Sequence, residues 1–123
     1  MNIPHLDNYE EEEALGPIQR EEALFLFGLT RMLRPKVIVE FGCACGHSTY
    51  NFLCAMTADS RLYSFDCRDM WGTKIVDNRF RFILKPQECF DRNDIDGAEI
   101  DIVFLDASHE FEPVYQDLTL WFP

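Results

Sequence analysis

The sequence predicts an α/β fold built on a doubly wound parallel sheet. Helix-compatible segments alternate with short strand-like segments along the 123 residues. The strand-like segments are almost continuously apolar, which is typical of parallel strands covered on both faces. Three of them end on an acid, at Glu40, Asp66 and Asp106. Because ligands of such sheets bind beyond the carboxyl ends of the strands, these acids predict the position of the site.

The elements follow one another in a regular order. A helix-compatible segment from Ile18 to Leu33 carries an apolar stripe that includes Phe25, Leu29 and Met32, which predicts that this helix covers a face of the sheet. The predicted strands are residues 36–41, 61–66, 80–84 and 100–106. A helix is predicted between the first two strands, over 47–57, and a closing helix from Pro113. Residues 1–16 form an acidic extension, and 17–123 form one domain.

Composition excludes several classes of partner. A net charge of -11 argues against nucleic acid and against anionic membranes, because both are bound through phosphate contacts. The sequence has neither a secretory signal pattern nor a run of about 18 apolar residues, so we expect a soluble, cytoplasmic protein. The 5 cysteines are scattered through apolar segments, which predicts reduced thiols packed as small hydrophobic groups.

A glycine-containing loop follows the first strand, within the stretch from Val37 to Thr49. Gly42 and Gly46 lack a Cβ, so the loop can bring backbone N–H groups close to a ligand. Glu40 ends the strand that precedes them. A carboxylate there repels a pyrophosphate but suits a ligand that carries an ammonium group.

A nicotinamide dinucleotide site is the obvious alternative. Its G-x-G-x-x-G pattern requires glycine at two positions where this chain has Ala44 and His47. Asp66, at the end of the next strand, can accept hydrogen bonds from both hydroxyls of a ribose. The combination of an acid, a G-x-x-x-G loop, a helix and a second strand that ends on Asp66 therefore favours another class of nucleoside ligand.

The stretch Val39 to Gly46, VEFGCACG, resembles the first motif of the class I S-adenosylmethionine-dependent methyltransferases. The later stretch Asp101 to Phe111, DIVFLDASHEF, is similar to that of small-molecule O-methyltransferases related to macrocin O-methyltransferase. The resemblance implies a Rossmann-like sheet whose first four strands lie in the order 3-2-1-4 with flanking helices. It also implies S-adenosyl-L-methionine as cofactor and a small-molecule acceptor that is methylated at oxygen.

The resemblance implies roles for individual residues. The cofactor-binding set is Glu40, Gly42, Cys43, Gly46, Ser48, Asp66, Cys67, Gln87 and Asp106. Glu40 and the loop would hold the methionine part, Asp66 the ribose, and the region of Cys67 and Gln87 the adenine. His109 is the candidate general base, and Asp106 the candidate ligand of a divalent cation such as Mg²⁺.

The sequence ends at Pro123, where the family would continue with further strands. We therefore expect a partial methyltransferase domain whose fourth strand has an unpaired edge that favours a complementing chain or a homo-oligomer. Three hypotheses follow: a methyltransferase domain, a non-catalytic module that binds the cofactor or pairs through this edge, and a nicotinamide oxidoreductase.

Overall fold

The structure, a computed structural model, describes residues 20–43, 46–69 and 72–106. In chain order the helices and strands are α1 (Arg20–Leu33), β1 (Val37–Phe41), α2 (His47–Ala55), β2 (Arg61–Asp66), β3 (Phe80–Leu84) and β4 (Ile102–Leu105). Single turns of 3₁₀ helix occur at Gly72–Lys74, Gln87–Cys89 and Arg92–Ile95. The predicted acidic extension and the predicted closing helix lie outside the described residues.

The described strands form one sheet in the order β3-β2-β1-β4, and every neighbouring pair is parallel. This confirms the predicted order and the doubly wound class. The predicted bounds of β2 and β3 are confirmed. β1 and β4 begin later than predicted, and both β4 and α2 end earlier than predicted. The carboxylate of Asp101 accepts hydrogen bonds from the N–H groups of Lys36 and Val37, at 2.7 and 3.0 Å. Asp101 therefore belongs to the turn that precedes β4.

Each face of the sheet is covered by its own apolar cluster. On one face Ile38 and Leu62 of the sheet pack with Phe52 and Leu53 of α2. On the other face Phe41 and Phe65 pack with Phe90, and the ring centroids of Phe65 and Phe90 are 5.4 Å apart. Because side chains alternate along a strand, Glu40 and Ser64 share the α2 face with their second neighbours Ile38 and Leu62. The site therefore lies on the face that α2 covers.

The predicted apolar stripe of α1 is wrong at Phe25 and Met32, whereas Leu29 is half-buried. Phe25 is 67% exposed and Met32 is 73% exposed, whereas the buried positions are Ala23, Phe27 and Thr30. The side-chain amide of Asn51 in α2 donates a 2.9 Å hydrogen bond to the carbonyl of Ala23. The buried face of α1 is therefore the one that carries Ala23, Phe27 and Thr30.

Neither described helix is long and apolar enough to cross a membrane. In the described part of the chain β4 pairs with β1 alone, so its other edge has no described strand beside it.

The prediction that the cysteines are packed as small hydrophobic groups holds only in part. Cys43 is buried, but Cys54, Cys67 and Cys89 are exposed free thiols. Exposed thiols do not pack in the core, so the predicted packing role is wrong for these three residues.

Candidate functional site

The loop after β1 is built on two glycines with left-handed backbone angles. Gly42 has a φ of 97° and Gly46 a φ of 83°, conformations that side-chain-bearing residues rarely adopt. The N–H of Gly42 donates to the carbonyl of Phe65 at 2.8 Å, which ties the start of the loop to β2. A Cβ on Gly46 would lie 3.2 Å from the Cδ1 atom of Ile75, so the space there is also restricted. Both glycines are therefore required by the loop itself.

Glu40 is enclosed at the end of β1 by hydroxyl groups. Its side chain is 0% exposed. Ser48 donates to its Oε1 atom, and Thr49 and Ser64 donate to its Oε2 atom, with a Thr49–Glu40 distance of 2.6 Å. Ser48 and Thr49 belong to the first turn of α2, where the helix dipole favours a negative group. Hydrogen bonds from two secondary-structure elements thus hold one buried carboxylate.

Burial raises the pKa of the Glu40 carboxyl above its ordinary value of 4.5, because a charge is costly away from water. The hydroxyl donors act in the opposite direction, and the negative charge of Asp106 adds to the increase. Because β1 and β4 pair in parallel, with Phe41 opposite Leu105, Glu40 and Asp106 lie at one edge of the sheet.

Asp66 and Asp106 lie at the carboxyl ends of β2 and β4, as predicted. The Oδ1 atom of Asp66 accepts a 3.0 Å hydrogen bond from the N–H of Arg68, which turns the chain after β2. The N–H of Asp106 donates to the carbonyl of Phe41 at 2.9 Å, which places Asp106 beside the start of the glycine loop. Both side chains are half-buried. The structure thus brings Glu40, Asp66 and Asp106 to the same edge of the sheet.

Two cysteines of the predicted site differ in environment. Cys43 is 3% exposed, and its sulfur lies 3.3 Å from the hydroxyl oxygen of Thr49. Burial, followed by the charge of Glu40, raises the pKa of the Cys43 thiol to about 12. A thiol with this pKa stays protonated and is not a nucleophile at neutral pH. Cys67, directly after β2, is exposed.

Gln87 follows β3 in a 3₁₀ turn, at the sheet edge that holds the three acids. Its Oε1 atom is buried and has no hydrogen-bond partner within the described part of the chain. A buried oxygen without a donor costs about 1–3 kcal/mol, so a ligand that donates to it would recover that free energy. This observation fits the predicted place of an adenine amino group.

Of the two predicted catalytic residues, the structure describes only one. Asp106 is within it, and His109 lies outside the described residues. Among the residues that the structure describes, no group of three His, Cys, Asp or Glu side chains could hold a metal ion. The metal role of Asp106 therefore stays a prediction.

Thr49 and Ser64 were not among the predicted site residues. Their hydroxyls reach Glu40 from α2 and from β2, and both residues are 0% exposed. For Ser64 the sequence did carry a signal, since it is a small polar residue inside a mostly apolar strand, two positions before Asp66. Strand pairing brings it to Glu40, since Ser64 is the partner of Glu40 in the parallel register.

Comparison with known proteins gives one family. Residues 39–123 match the model of a family described as a methyltransferase domain, which covers more than half of the chain. The matched region includes both glycines of the loop and all three strand-end acids. A comparison with curated proteins finds no significant match.

Solved structures share the fold at low sequence identity. An O-methyltransferase from Bacillus cereus in complex with SAH is 16% identical and has a TM-score of 0.67. A methyltransferase from Geobacter sulfurreducens is 18% identical with a TM-score of 0.68. The O-methyltransferase TomG from Streptomyces achromogenes, in complex with SAM and involved in tomaymycin synthesis, is 18% identical with a TM-score of 0.63. The matches cover 94%, 91% and 95% of this chain but only 55%, 62% and 56% of those proteins, in the same order.

Proposed function

Because this chain belongs to the family of methyltransferase domains, we propose that it binds S-adenosyl-L-methionine at the carboxyl ends of its strands and methylates a small-molecule acceptor at oxygen. The buried Glu40 carboxylate, held by hydroxyls beside a two-glycine loop, is the observation that carries this proposal. Two of the structurally similar methyltransferases are described in complex with SAH or SAM, which supports the choice of cofactor.

The amino-acid end of the cofactor binds at Glu40 and Ser48. The hydroxyl hydrogen of Ser48 is donated to the Oε1 atom of Glu40. The lone pairs of the Ser48 oxygen are therefore free to accept a hydrogen bond from an ammonium group. Since Glu40 is 0% exposed, it acts through Ser48 and through its negative charge, not by direct contact. A charge-assisted pair of this kind contributes about 1.5–3 kcal/mol.

The ribose binds at Asp66, which ends the strand next to β1. Its carboxylate accepts hydrogen bonds from both ribose hydroxyls, while the backbone of Gly42, Cys43 and Gly46 lies along the ligand. Cys43 contributes its backbone alone, because its thiol is buried against Thr49 and stays protonated.

The adenine binds between Cys67 and Gln87. The buried Oε1 atom of Gln87 has no donor among the residues that the structure describes. The exocyclic amine of adenine carries two N–H groups and supplies such a donor. Cys67, exposed after β2, borders the other side of the base. The fit of the adenosine part of the cofactor therefore rests on the Oε1 atom of Gln87 and on the carboxylate of Asp66.

The reaction depends mainly on alignment. When bound, S-adenosyl-L-methionine supplies a methyl group on a positively charged sulfur. The chain holds the two ends of the cofactor at Ser48 and Gln87 and so aims that methyl group at the acceptor, an effect of proximity and orientation. In this proposal His109 accepts the proton of the acceptor hydroxyl. Asp106 lies beside the loop, where it orients the acceptor. A divalent cation such as Mg²⁺, if bound, would be held by Asp106 and would make the acceptor hydroxyl more acidic.

Titration calorimetry with S-adenosylhomocysteine tests the binding part of the proposal. We expect the wild-type chain to bind, and Asp66→Ala to weaken binding about tenfold or more because the ribose loses its acceptor. Asp59→Ala is the matched control, since Asp59 is exposed and precedes β2 at the opposite end of the sheet. A folded wild-type chain that fails to bind, or that binds NAD instead, would contradict the proposal.

A second candidate function is a non-catalytic module that binds the cofactor and pairs with another chain through β4. In the described part of the chain the outer edge of β4 has no partner strand, and all four residues of β4 are half-buried. The partner is a complementing polypeptide or a second copy. Methyl transfer that is measured only after a second polypeptide is added would favour this candidate over an enzyme that acts alone.

A further inference from the structure

Ser64 occupies the middle of β2 and is fully buried. It is the register partner of Glu40 across the β1–β2 pair, so the two side chains lie side by side on the face that α2 covers. The hydroxyl of Ser64 donates to the Oε2 atom of Glu40. This contact joins β1, which carries Glu40, to β2, which ends at the proposed ribose ligand Asp66.

We propose that Ser64 is a positioning residue for the amino-acid end of the cofactor: it orients the Glu40 carboxylate so that the Oε1 atom faces Ser48. The inference rests on the proposed function, because Ser48 and Glu40 are assigned there to the ammonium group. Ser64 itself does not touch the ligand. Its effect reaches the ligand through Glu40 and then through Ser48.

The geometry explains why a second donor to the same oxygen matters. The terminal torsion of a glutamate is broad, and without Ser64 the carboxylate would be held only by Ser48 and Thr49, from one helix turn. Thr49 also donates to the Oε2 atom, at 2.6 Å, but it lies in the first turn of α2 next to Ser48. Ser64 donates from the sheet. With one donor on the helix and one on the strand, the plane of the Glu40 carboxylate is determined relative to both elements.

Ser64 also relates the ammonium group of the ligand to its ribose. Asp66 lies two residues further along β2, so the two side chains share one face of the sheet. Asp66 is assigned to the ribose, and Ser64 to the orientation of the group that meets the ammonium. A rigid strand thus sets the spacing between the two binding groups.

A purely structural role for Ser64 is the competing explanation. A buried carboxylate needs hydrogen-bond donors to remain in the core, and Ser64 would then serve folding alone. The two explanations differ in which ligands they affect. Positioning changes the affinity only for ligands that carry the amino-acid end, whereas general damage to the fold weakens every ligand of the site.

The experiment compares two ligands by titration calorimetry at neutral pH. S-adenosylhomocysteine carries the amino-acid end, and 5′-methylthioadenosine shares the adenosine and the thioether but lacks that end. For Ser64→Ala we expect affinity for S-adenosylhomocysteine to fall about five- to tenfold, and affinity for 5′-methylthioadenosine to change less than about twofold. Ser64→Thr, which keeps a hydroxyl, should restore the wild-type ratio of the two affinities.

Ser60→Ala is the matched control. Ser60 is also 0% exposed, and its hydroxyl donates to the carbonyl of Pro35 at 2.6 Å, but it lies before β2 at the opposite end of the sheet. We expect this variant to lose stability without changing the ratio. An equal fall for both ligands in Ser64→Ala, or an unchanged ratio in that folded variant, would overturn the inference. If Ser64→Ala does not fold, Ser64→Cys takes its place, since a thiol is a weak donor, and an unchanged ratio there is equally contradictory.

Glu40→Gln separates failure of this inference from failure of the proposed function. If Glu40→Gln binds S-adenosylhomocysteine with the wild-type ratio, the assignment of the amino-acid end is wrong, and the role of Ser64 is wrong with it. If Glu40→Gln lowers the ratio but Ser64→Ala does not, only the role of Ser64 is wrong.

Discussion

Glu40 and Asp106 bring two carboxylates to the same edge of the sheet, and the charge of Asp106 adds to the burial that raises the pKa of Glu40. The carbonyl of Phe41, directly after Glu40, accepts a 2.9 Å hydrogen bond from the N–H of Asp106. A site that combines a buried acid with a second acid nearby is suited to a positively charged ligand. S-adenosyl-L-methionine, with an ammonium and a sulfonium group, has that character.

The raised pKa of Glu40 predicts how stability depends on pH. At a pH between the ordinary pKa of 4.5 and the higher pKa of Glu40 in the folded chain, the folded chain binds more protons than the unfolded chain. The contribution of Glu40 to the free energy of unfolding is therefore most favourable below the ordinary value, and it is lost as the pH rises through the folded-state pKa. Glu40→Gln removes this dependence. Urea unfolding of both chains from about pH 4 to pH 8 measures it.

Asp77→Asn supplies the comparison of opposite sign. The Arg79 guanidinium, which donates to Asp77, lowers the pKa of that carboxyl below its ordinary value of 3.8. The contribution of Asp77 to the free energy of unfolding is present above its ordinary pKa and is lost as the pH falls through the lowered folded-state pKa. Urea unfolding below pH 3.8 therefore measures it, at lower pH than the series for Glu40. A difference between wild type and Glu40→Gln that stays constant with pH would contradict the prediction for Glu40.

Gly46→Ala should destabilise the loop for two reasons. A φ of 83° costs a residue with a side chain about 1–2 kcal/mol. The new Cβ would also lie 3.2 Å from the Cδ1 atom of Ile75. Gly97→Ala has the first cost alone, since its φ is 68° and a Cβ there meets nothing within 4 Å.

Gly28→Ala completes this series. Gly28 lies within α1, where a Cβ meets nothing within 4 Å, so alanine should stabilise the chain by about 0.5–1 kcal/mol. The expected order of stability is Gly28→Ala, wild type, Gly97→Ala and Gly46→Ala. Chemical denaturation measures it, and a Gly46→Ala chain as stable as Gly97→Ala would show that the contact with Ile75 has no energetic weight.

Arg79→Met should release the carboxyl end of α2. The guanidinium of Arg79 donates to the carbonyls of Leu53 and Met56, at 3.0 and 3.3 Å, and its side chain is 18% exposed. Loss of these bonds leaves helix-end carbonyls without a donor, at a cost of about 1–3 kcal/mol in the free energy of unfolding. Arg81→Met is the control because Arg81 is 60% exposed and lies 3.6 Å from Asp96, so the expected change is within about 0.5 kcal/mol. Equal losses in the two variants would contradict this account.

Asn51→Leu should loosen α1 from α2. The amide of Asn51 is buried and donates a 2.9 Å hydrogen bond to the carbonyl of Ala23. Its removal should cost about 1–2 kcal/mol and increase amide hydrogen exchange in α1 more than in the sheet. Asn78→Ala, at an exposed position before β3, should leave exchange in α1 unchanged. Uniformly faster exchange over all elements would instead indicate global destabilisation.

The sheet was predictable because its signals are local. β2 and β3 are short apolar runs bounded by polar turns, and their bounds are those predicted. The stripe of α1 was not predictable in the same way, because Phe25 and Met32 are apolar but do not face the core. Which face of a helix is buried depends on the element that packs against it, and here Asn51 of α2 contacts Ala23.

The sequence by itself determined the fold class, the glycine loop and the three strand-end acids, since each depends on residue type and short-range spacing. Only the tertiary structure decided what surrounds Glu40. Ser64 follows it by 24 residues, and they meet because parallel pairing of β1 with β2 places them at one register position. Hydrogen bonds form between side chains that the fold brings together. Spacing along the chain predicted the acid, and the pairing of two strands supplied the hydroxyl that orients it.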